Sequence, residues 1–146
     1  FDSFEKFPRD DLKLNSDNEF ISKFEEASGD PISDELLNQL ILNKQYKYQD
    51  KIKLIKGNVF ESLPRFINEN PNLKIAALHL DMDVYEPTKY CLDELYPKLE
   101  HNGIIICDDY NQVEGATIAF DEFAIKFNKK IEKIDYSKTP YFIVNN

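Results

Sequence analysis

Two apolar runs in this chain, residues 73–80 and 103–107, stop abruptly at carboxylates. Leu80 is followed by Asp81-Met82-Asp83, and Cys107 by Asp108-Asp109. Between them, Cys91, Leu92, Leu95, Tyr96 and Leu99 recur at helical spacing over residues 86–99. Strand, helix and strand in that order predict a right-handed βαβ crossover. Its strands run parallel and their C-terminal ends lie side by side. The near-continuous apolar character of 73–80 predicts a central strand covered on both faces.

The rest of the chain alternates in the same way. Residues 8–31 are polar and turn-rich, which predicts a long connection with one short helix near 20–26. Ser33 suits a helix cap, with Asp34 and Glu35 in the first turn and Leu36, Leu37, Leu40 and Ile41 as the apolar face. A short strand is expected over 52–56, ending at Gly57. A helix is expected near 61–70, where Pro64 is tolerable in the first turn. Residues 114–127 read as a helix with Ile118, Phe120, Phe123 and Phe127 apolar. Residues 131–135 and 141–144 read as two closing strands, separated by turn residues. Strands alternating with helices predict an α/β fold.

Composition narrows the classes. A length of 146 residues suits one domain with a real core. The 18 basic residues against 27 acidic ones leave a formal charge of −9, which argues against binding nucleic acid or an anionic membrane. No apolar run reaches a membrane span, and no secretory leader is recognisable at Phe1. Cys91 and Cys107 fall inside a helix and a buried strand. They read as small apolar residues in a reducing, cytoplasmic setting, without zinc-site spacing.

Three carboxylates are thus expected at one sheet edge, where open α/β sheets bind ligands. Asp81, Asp108 and Asp109 form a plausible site for a hard divalent cation such as Mg²⁺. An apolar run ending in Asp-x-Asp fits three enzyme classes. A haloacid-dehalogenase-type phosphatase needs more chain between its two acidic motifs than one helix. A metal-dependent glycosyltransferase leaves Asp108-Asp109 without a role. A metal-dependent methyltransferase uses both motifs one βαβ step apart. A single Asp after a strand is more often a turn former or cap, and Asp83 could simply cap the next helix. Adjacent Asp residues are harder to explain without a balancing cation. His79 reads as a buried, satisfied core histidine, with support of a metal ligand the rarer alternative. His101 reads as exposed in a helix-to-strand turn. Tyr85 and Tyr110 are explained as well by packing as by lining a pocket.

At these residues the chain resembles the macrocin-O-methyltransferase family of S-adenosylmethionine-dependent sugar methyltransferases. The resemblance rests on Phe1-Asp2-Ser3-Phe4-Glu5-Lys6, on residues 56–64 (KGNVFESLP) and on residues 80–88 (LDMDVYEPT). It continues through residues 92–99 (LDELYPKL) and Asp108-Asp109-Tyr110. Each piece alone is weak; their order and spacing are specific. Pro87 stands where the family usually has Ser, and Asn102-Gly103 replaces a double glycine. The family's first strand and glycine-rich turn have no counterpart here. The expectation is therefore an incomplete Rossmann-like class I methyltransferase fold, the C-terminal two-thirds, with a mostly parallel sheet and a C-terminal antiparallel pair.

The resemblance implies methyl transfer from S-adenosylmethionine to a hydroxyl of a sugar or glycosylated small molecule. Asp81, Asp108 and Asp109 would hold the divalent cation, and Asp81 would also serve as general base. Asp2, with Ser3 beside it, would bind the donor ribose. Asn58 and Val59 would approach the adenine. The connection over 8–31 would lie on the acceptor side as a lid. Partners are expected to be a small-molecule glycoside and further copies of the chain in a homo-oligomer, because a missing central strand leaves open edges. The alternatives are a glycosyltransferase and a non-catalytic remnant or assembly partner.

Overall fold

The computed structural model describes residues 1–43 and 48–146. Its helices are α1 (Asn15–Ser28), α2 (Asp34–Asn43), α3 (Val59–Glu69), α4 (Tyr85–Leu95) and α5 (Glu114–Lys126). Its strands are β1 (Ile75–Leu80), β2 (Leu99–Cys107), β3 (Glu132–Lys133) and β4 (Tyr141–Val144), in sheet order β1-β2-β4-β3.

The expected βαβ unit is present. β1 and β2 pair in parallel, with Leu78 beside Ile105 and Leu80 beside Cys107, and α4 crosses between them. Pro97 has no N–H to continue the helix, so α4 stops at Leu95 and a single 3₁₀ turn, Tyr96–Lys98, leads into β2. β2 is longer than expected and takes in His101, which is exposed on the strand rather than in a turn. Asn102 holds a left-handed φ of 61°. Asn tolerates that conformation, which explains how it can stand where the family has glycine.

The sheet is mixed rather than mostly parallel. Among the described residues β1 and β2 are the one parallel pair of strands, while β4 pairs antiparallel with both β2 and β3. The expected C-terminal antiparallel pair is therefore found. The expected strand over 52–56 reduces to an isolated parallel bridge between Asp2 and Lys56. The Asp2 N–H donates to the Ile55 carbonyl at 3.1 Å, and the Gly57 N–H donates to the Asp2 carbonyl at 3.0 Å.

One face of the sheet carries the core. Leu78, Leu80, Ile105, Cys107 and Ile143 pack with Leu92 and Leu95 of α4 and with Ala116, Phe120 and Phe123 of α5. Val59 and Leu63 of α3 close the same cluster. The other face holds Ala77 and His79, which are exposed, and Ile104, Ile106, Phe142 and Val144, which are half-buried. Among the described residues β1 is thus an edge strand open on one face, whereas its apolar run predicts a central, doubly covered position. A continuous apolar run reports what a strand is suited to, not what lies against it.

Residues 8–31 hold a full helix of 14 residues rather than a short one. The predicted cap of α2 forms, with the Leu36 N–H donating to Ser33 Oγ at 3.2 Å. The apolar face of α2 does not find a core: Leu36 and Leu40 are 47% and 43% exposed. Cys91 and Cys107 are free, buried thiols pushed up to about 12 by burial, which fits their reading as small apolar residues.

Candidate active site

The parallel register places the acidic motifs together. Leu80 and Cys107 are cross-strand partners, and the Asp108 N–H still donates to the Leu80 carbonyl at 3.0 Å. The chain therefore leaves both strands at the same level. Asp81, Asp108 and Asp109 each offer a carboxylate oxygen, all within 4.8 Å of one another. Asp81 is exposed, Asp108 half-buried and Asp109 buried.

Backbone hydrogen bonds fix this edge. Asp109 Oδ2 accepts from the Asp83 N–H at 3.0 Å, which ties the two acidic motifs to each other. The Asp109 carbonyl accepts from the Gln112 and Val113 N–H groups, both at 2.9 Å, and so forms the turn that begins α5. Asp83 has a φ of 60°, a conformation that Asp adopts more readily than most residues. It is not the cap of α4: Val84 holds that position and makes no side-chain cap bond.

The electrostatics show how costly the cluster is without a counter-charge. Burial, then the negative charges of Asp109, Asp81 and Asp108, push the Asp83 carboxyl up to about 7. Asp109 is also raised, first by burial and then by Asp81 and Asp108, against the lowering effect of the Asp83 N–H and of His79. Crowded carboxylates in a partly dry site disfavour ionisation. Hard oxygen donors at this spacing suit a divalent cation, which would reverse that penalty.

His79 corrects the sequence reading. Its side chain is 53% exposed, not buried, and Nε2 lies 3.2 Å from Asp108 Oδ1. It is a partner to a candidate ligand, the rarer of the two sequence readings. The tyrosines are tethers. Tyr85 Oη donates to Glu122 Oε2 at 2.8 Å, and Tyr110 Oη donates to Asp121 Oδ1 at 2.7 Å.

A cavity of about 630 Å³ adjoins the edge. Asp2, Ser3, Asn58 and Val59 all line it, and Asp81 and Asp83 do too. The Asp2–Lys56 bridge explains the first four: it sets residues 2–3 beside 58–59. Several of these groups are already engaged locally. Asp2 Oδ1 accepts from the Phe4 N–H at 2.6 Å, Ser3 Oγ donates to the Glu5 carbonyl at 3.2 Å, and Asn58 Oδ1 caps α3 through the Phe60 N–H at 3.1 Å. Val59 is buried in the core cluster.

One residue of this region escapes sequence reasoning. Asp17 falls in a Ser-Asp-Asn cluster that reads as a turn, yet it is fully buried in α1. Its signal was positional: Leu14, Asp17, Ile21 and Phe24 share a helical stripe, so a carboxylate stands where an apolar side chain is expected.

Known proteins bear on this geometry. The model of the macrocin-O-methyltransferase (TylF) family matches residues 1–142. Demethyldecarbamoylnovobiocin O-methyltransferase of Streptomyces niveus is 33% identical over 79 residues, 54% of this chain and 29% of the relative. The 8-demethyl-8-(2,3-dimethoxy-alpha-L-rhamnosyl)-tetracenomycin-C 4'-O-methyltransferase of Streptomyces olivaceus is 34% identical over 61 residues, 42% of this chain and 22% of the relative. Among solved structures, the O-methyltransferase NovP superposes with a TM-score of 0.81 at 24% identity, over 99% of this chain and 57% of NovP. CalS11, a TDP-rhamnose 3'-O-methyltransferase, superposes with a TM-score of 0.61 at 25% identity, over 75% of this chain and 49% of CalS11. The matched region is thus under a third of each curated relative and about half of each solved structure. With the family model covering nearly the whole chain, and the acidic edge and cavity where its motifs fall, the chain belongs to the macrocin-O-methyltransferase family.

Proposed function

We propose that this chain forms the acidic, acceptor-binding part of an S-adenosylmethionine-dependent, divalent-metal-dependent O-methyltransferase acting on a hydroxyl of a sugar or glycosylated small molecule. The observation that carries the reading is the convergence of Asp81, Asp108 and Asp109, of which Asp81 also lines the cavity that Asp2 and Asn58 line. Two of the proteins named above, the tetracenomycin-C 4'-O-methyltransferase and the TDP-rhamnose 3'-O-methyltransferase, carry a rhamnose in their names, which favours a glycoside acceptor.

The chemistry follows from the residues. A sugar hydroxyl is a poor nucleophile while protonated. When bound, a divalent cation would supply Lewis-acid stabilisation of the alkoxide, and S-adenosylmethionine would supply the methyl group. Asp81, Asp108 and Asp109 are the residues that would hold the cation, with the Asp83 N–H and His79 orienting two of the three carboxylates. Asp81, the exposed member that also lines the cavity, is assigned to accept the hydroxyl proton. Asp83 is the second candidate base, favoured by a carboxyl held at about 7 inside the same cavity. The two assignments separate cleanly: Asp81→Asn should weaken both cation binding and turnover, whereas a base at Asp83 would make Asp83→Asn lower turnover with cation binding kept. Asp2 and Ser3 are assigned to the donor ribose, and Asn58 and Val59 to the adenine side.

We further propose that another strand completes the fold, between β1 and the Asp2–Lys56 bridge. Among the described residues β1 pairs on one side only, and the bridge does not join the sheet. An edge of unpaired N–H and C=O groups recruits a strand. The added strand can come from elsewhere in the polypeptide or from a second copy.

Calorimetry separates the enzyme classes. Binding of S-adenosylmethionine, or of its demethylated product, by the protein carrying this chain supports methyl transfer. Binding of a nucleotide diphosphate sugar without S-adenosylmethionine would instead favour a glycosyltransferase.

A further inference from the structure

Helices α4 and α5 begin without caps of their own. The residues preceding them are Val84 and Val113, and neither makes a side-chain cap bond. Such N-termini leave N–H groups unsatisfied and carry partial positive charge. The carboxylate at this point comes from another helix. Asp17 of α1 is fully buried, and its Oδ2 accepts from the Tyr85 N–H, the first residue of α4, at 2.9 Å. Its other oxygen, Oδ1, is buried with no hydrogen-bond partner and lies against Gly115 in the first turn of α5. A Cβ on Gly115 would collide with Asp17 Oδ1 and with the Tyr85 nitrogen, 2.6 Å away. Glycine is thus what lets the three elements meet.

The same segment is fastened at two more points. Lys13 Nζ lies 3.1 Å from Glu86 Oε2 in the first turn of α4, and Arg9 bonds Glu25 and Ser22 of α1 at 2.8 and 3.1 Å. Beyond Asp17, α1 runs along the cavity and lines it with Phe24, Glu25 and Ser28.

We propose that Asp17 is a positioning residue: it seats α1, one wall of the cavity, on the N-termini of α4 and α5, and so sets the width of the cavity that Asp81 and Asp83 share. Its consequence for an acceptor rests on the reading of the cavity given above; the seat itself does not. The interaction needed is an oxygen acceptor for the Tyr85 N–H, in a space too tight for any side chain at position 115. Burial raises the Asp17 carboxyl above its usual range, the Tyr85 N–H opposes this, and Glu114 and Glu86 add to it, so the surroundings disfavour its charged form. An amide of the same shape keeps that acceptor, although its NH₂ then takes the unpartnered place of Oδ1.

Limited proteolysis of residues 8–31 in the full protein tests the seat, because cleavage there follows the population in which α1 has lifted. Asp17→Ala should be cut about ten-fold faster than the parent, the effect of losing a helix cap. Asp17→Asn, which keeps the acceptor for the Tyr85 N–H, should be cut more slowly than Asp17→Ala, and Gly115→Ala, which keeps Asp17, should reproduce the fast cleavage. In methyl-transfer assays, Asp17→Ala should raise the acceptor KM and leave kcat within about two-fold, the pattern of lost positioning rather than lost chemistry. Parental resistance in Gly115→Ala, or an Asn variant as open as Ala, would overturn the proposal. Mg²⁺ titration tests the cation reading separately, so a failure there is not a failure of this seat.

Discussion

Asp109 is the residue on which the acidic edge turns. It is buried, it holds the Asp83 N–H, and it begins the turn into α5. Its carboxyl and that of Asp83 are both raised, Asp83 to about 7. A raised acid binds its proton more tightly folded than unfolded, so stability is lost as pH climbs through that window. The metal-free protein should therefore lose stability from the ordinary carboxylate value of 3.8 up to about 7 on account of Asp83. Cation binding needs its carboxylate ligands, Asp109 among them, deprotonated. Millimolar Mg²⁺ should accordingly raise the melting temperature by mass action on the folded form, and more at higher pH than at lower because the carboxyl of Asp109 is raised. Asp109→Asn should abolish the Mg²⁺ shift and stabilise the metal-free protein above neutrality. Melting curves that ignore Mg²⁺ at every pH would rule out the site. At this scale the three ligand candidates were legible, since each follows an apolar run. His79 and Asp17 were not: their roles depend on which element folds over them, and strand or turn context alone does not say.

Elements were legible where their periodicity is strong. β1 and α5 fall close to their predicted bounds because apolar spacing and their core are the same fact, while α4 ends at Leu95 and β2 begins at Leu99, both earlier than predicted. Phe120 shows it: it is fully buried between α5 and the sheet. Phe120→Ala should cost about 3–5 kcal/mol, read by urea denaturation, as expected for a buried aromatic truncation. A loss well below that would mean that α5 is not seated on the core as described. α1 was underestimated because its polar residues mask one buried stripe. The strand over 52–56 was overestimated, since a β-like segment needs a partner along its length and here meets Asp2 alone. The C-terminal strands were placed correctly, but the sheet they join is mixed. Strand direction depends on the connections as well as on the strands.

At the scale of the whole molecule, one sheet face is well packed and the other is not. Ile104, Ile106, Phe142 and Val144 are half-buried beside the exposed Ala77 and His79, and the outer edge of β1 is unpaired among the described residues. Leu36, Leu40 and Ile32 add exposed apolar surface, and Ile32 lines the cavity. Exposed apolar surface together with a free strand edge favours association. Light scattering of the 146-residue chain is expected to give a mass above the 17.1 kDa of one copy, with weak affinity for S-adenosylmethionine. A stable monomer with tight donor binding would contradict the added strand. No helix among the described residues is long and apolar enough to cross a membrane.

The central claim is that the acidic edge activates a hydroxyl for methyl transfer. Its most direct test is transfer of labelled methyl from S-adenosylmethionine to a glycoside by the protein carrying this chain. The assay is run with Mg²⁺, with a chelator, and with Asp81→Asn. The account predicts transfer with Mg²⁺, none with chelator, and a loss of about a hundred-fold or more in Asp81→Asn, the range for removing a general base. Transfer that persists in chelator, or survives in Asp81→Asn within a few-fold, would contradict it.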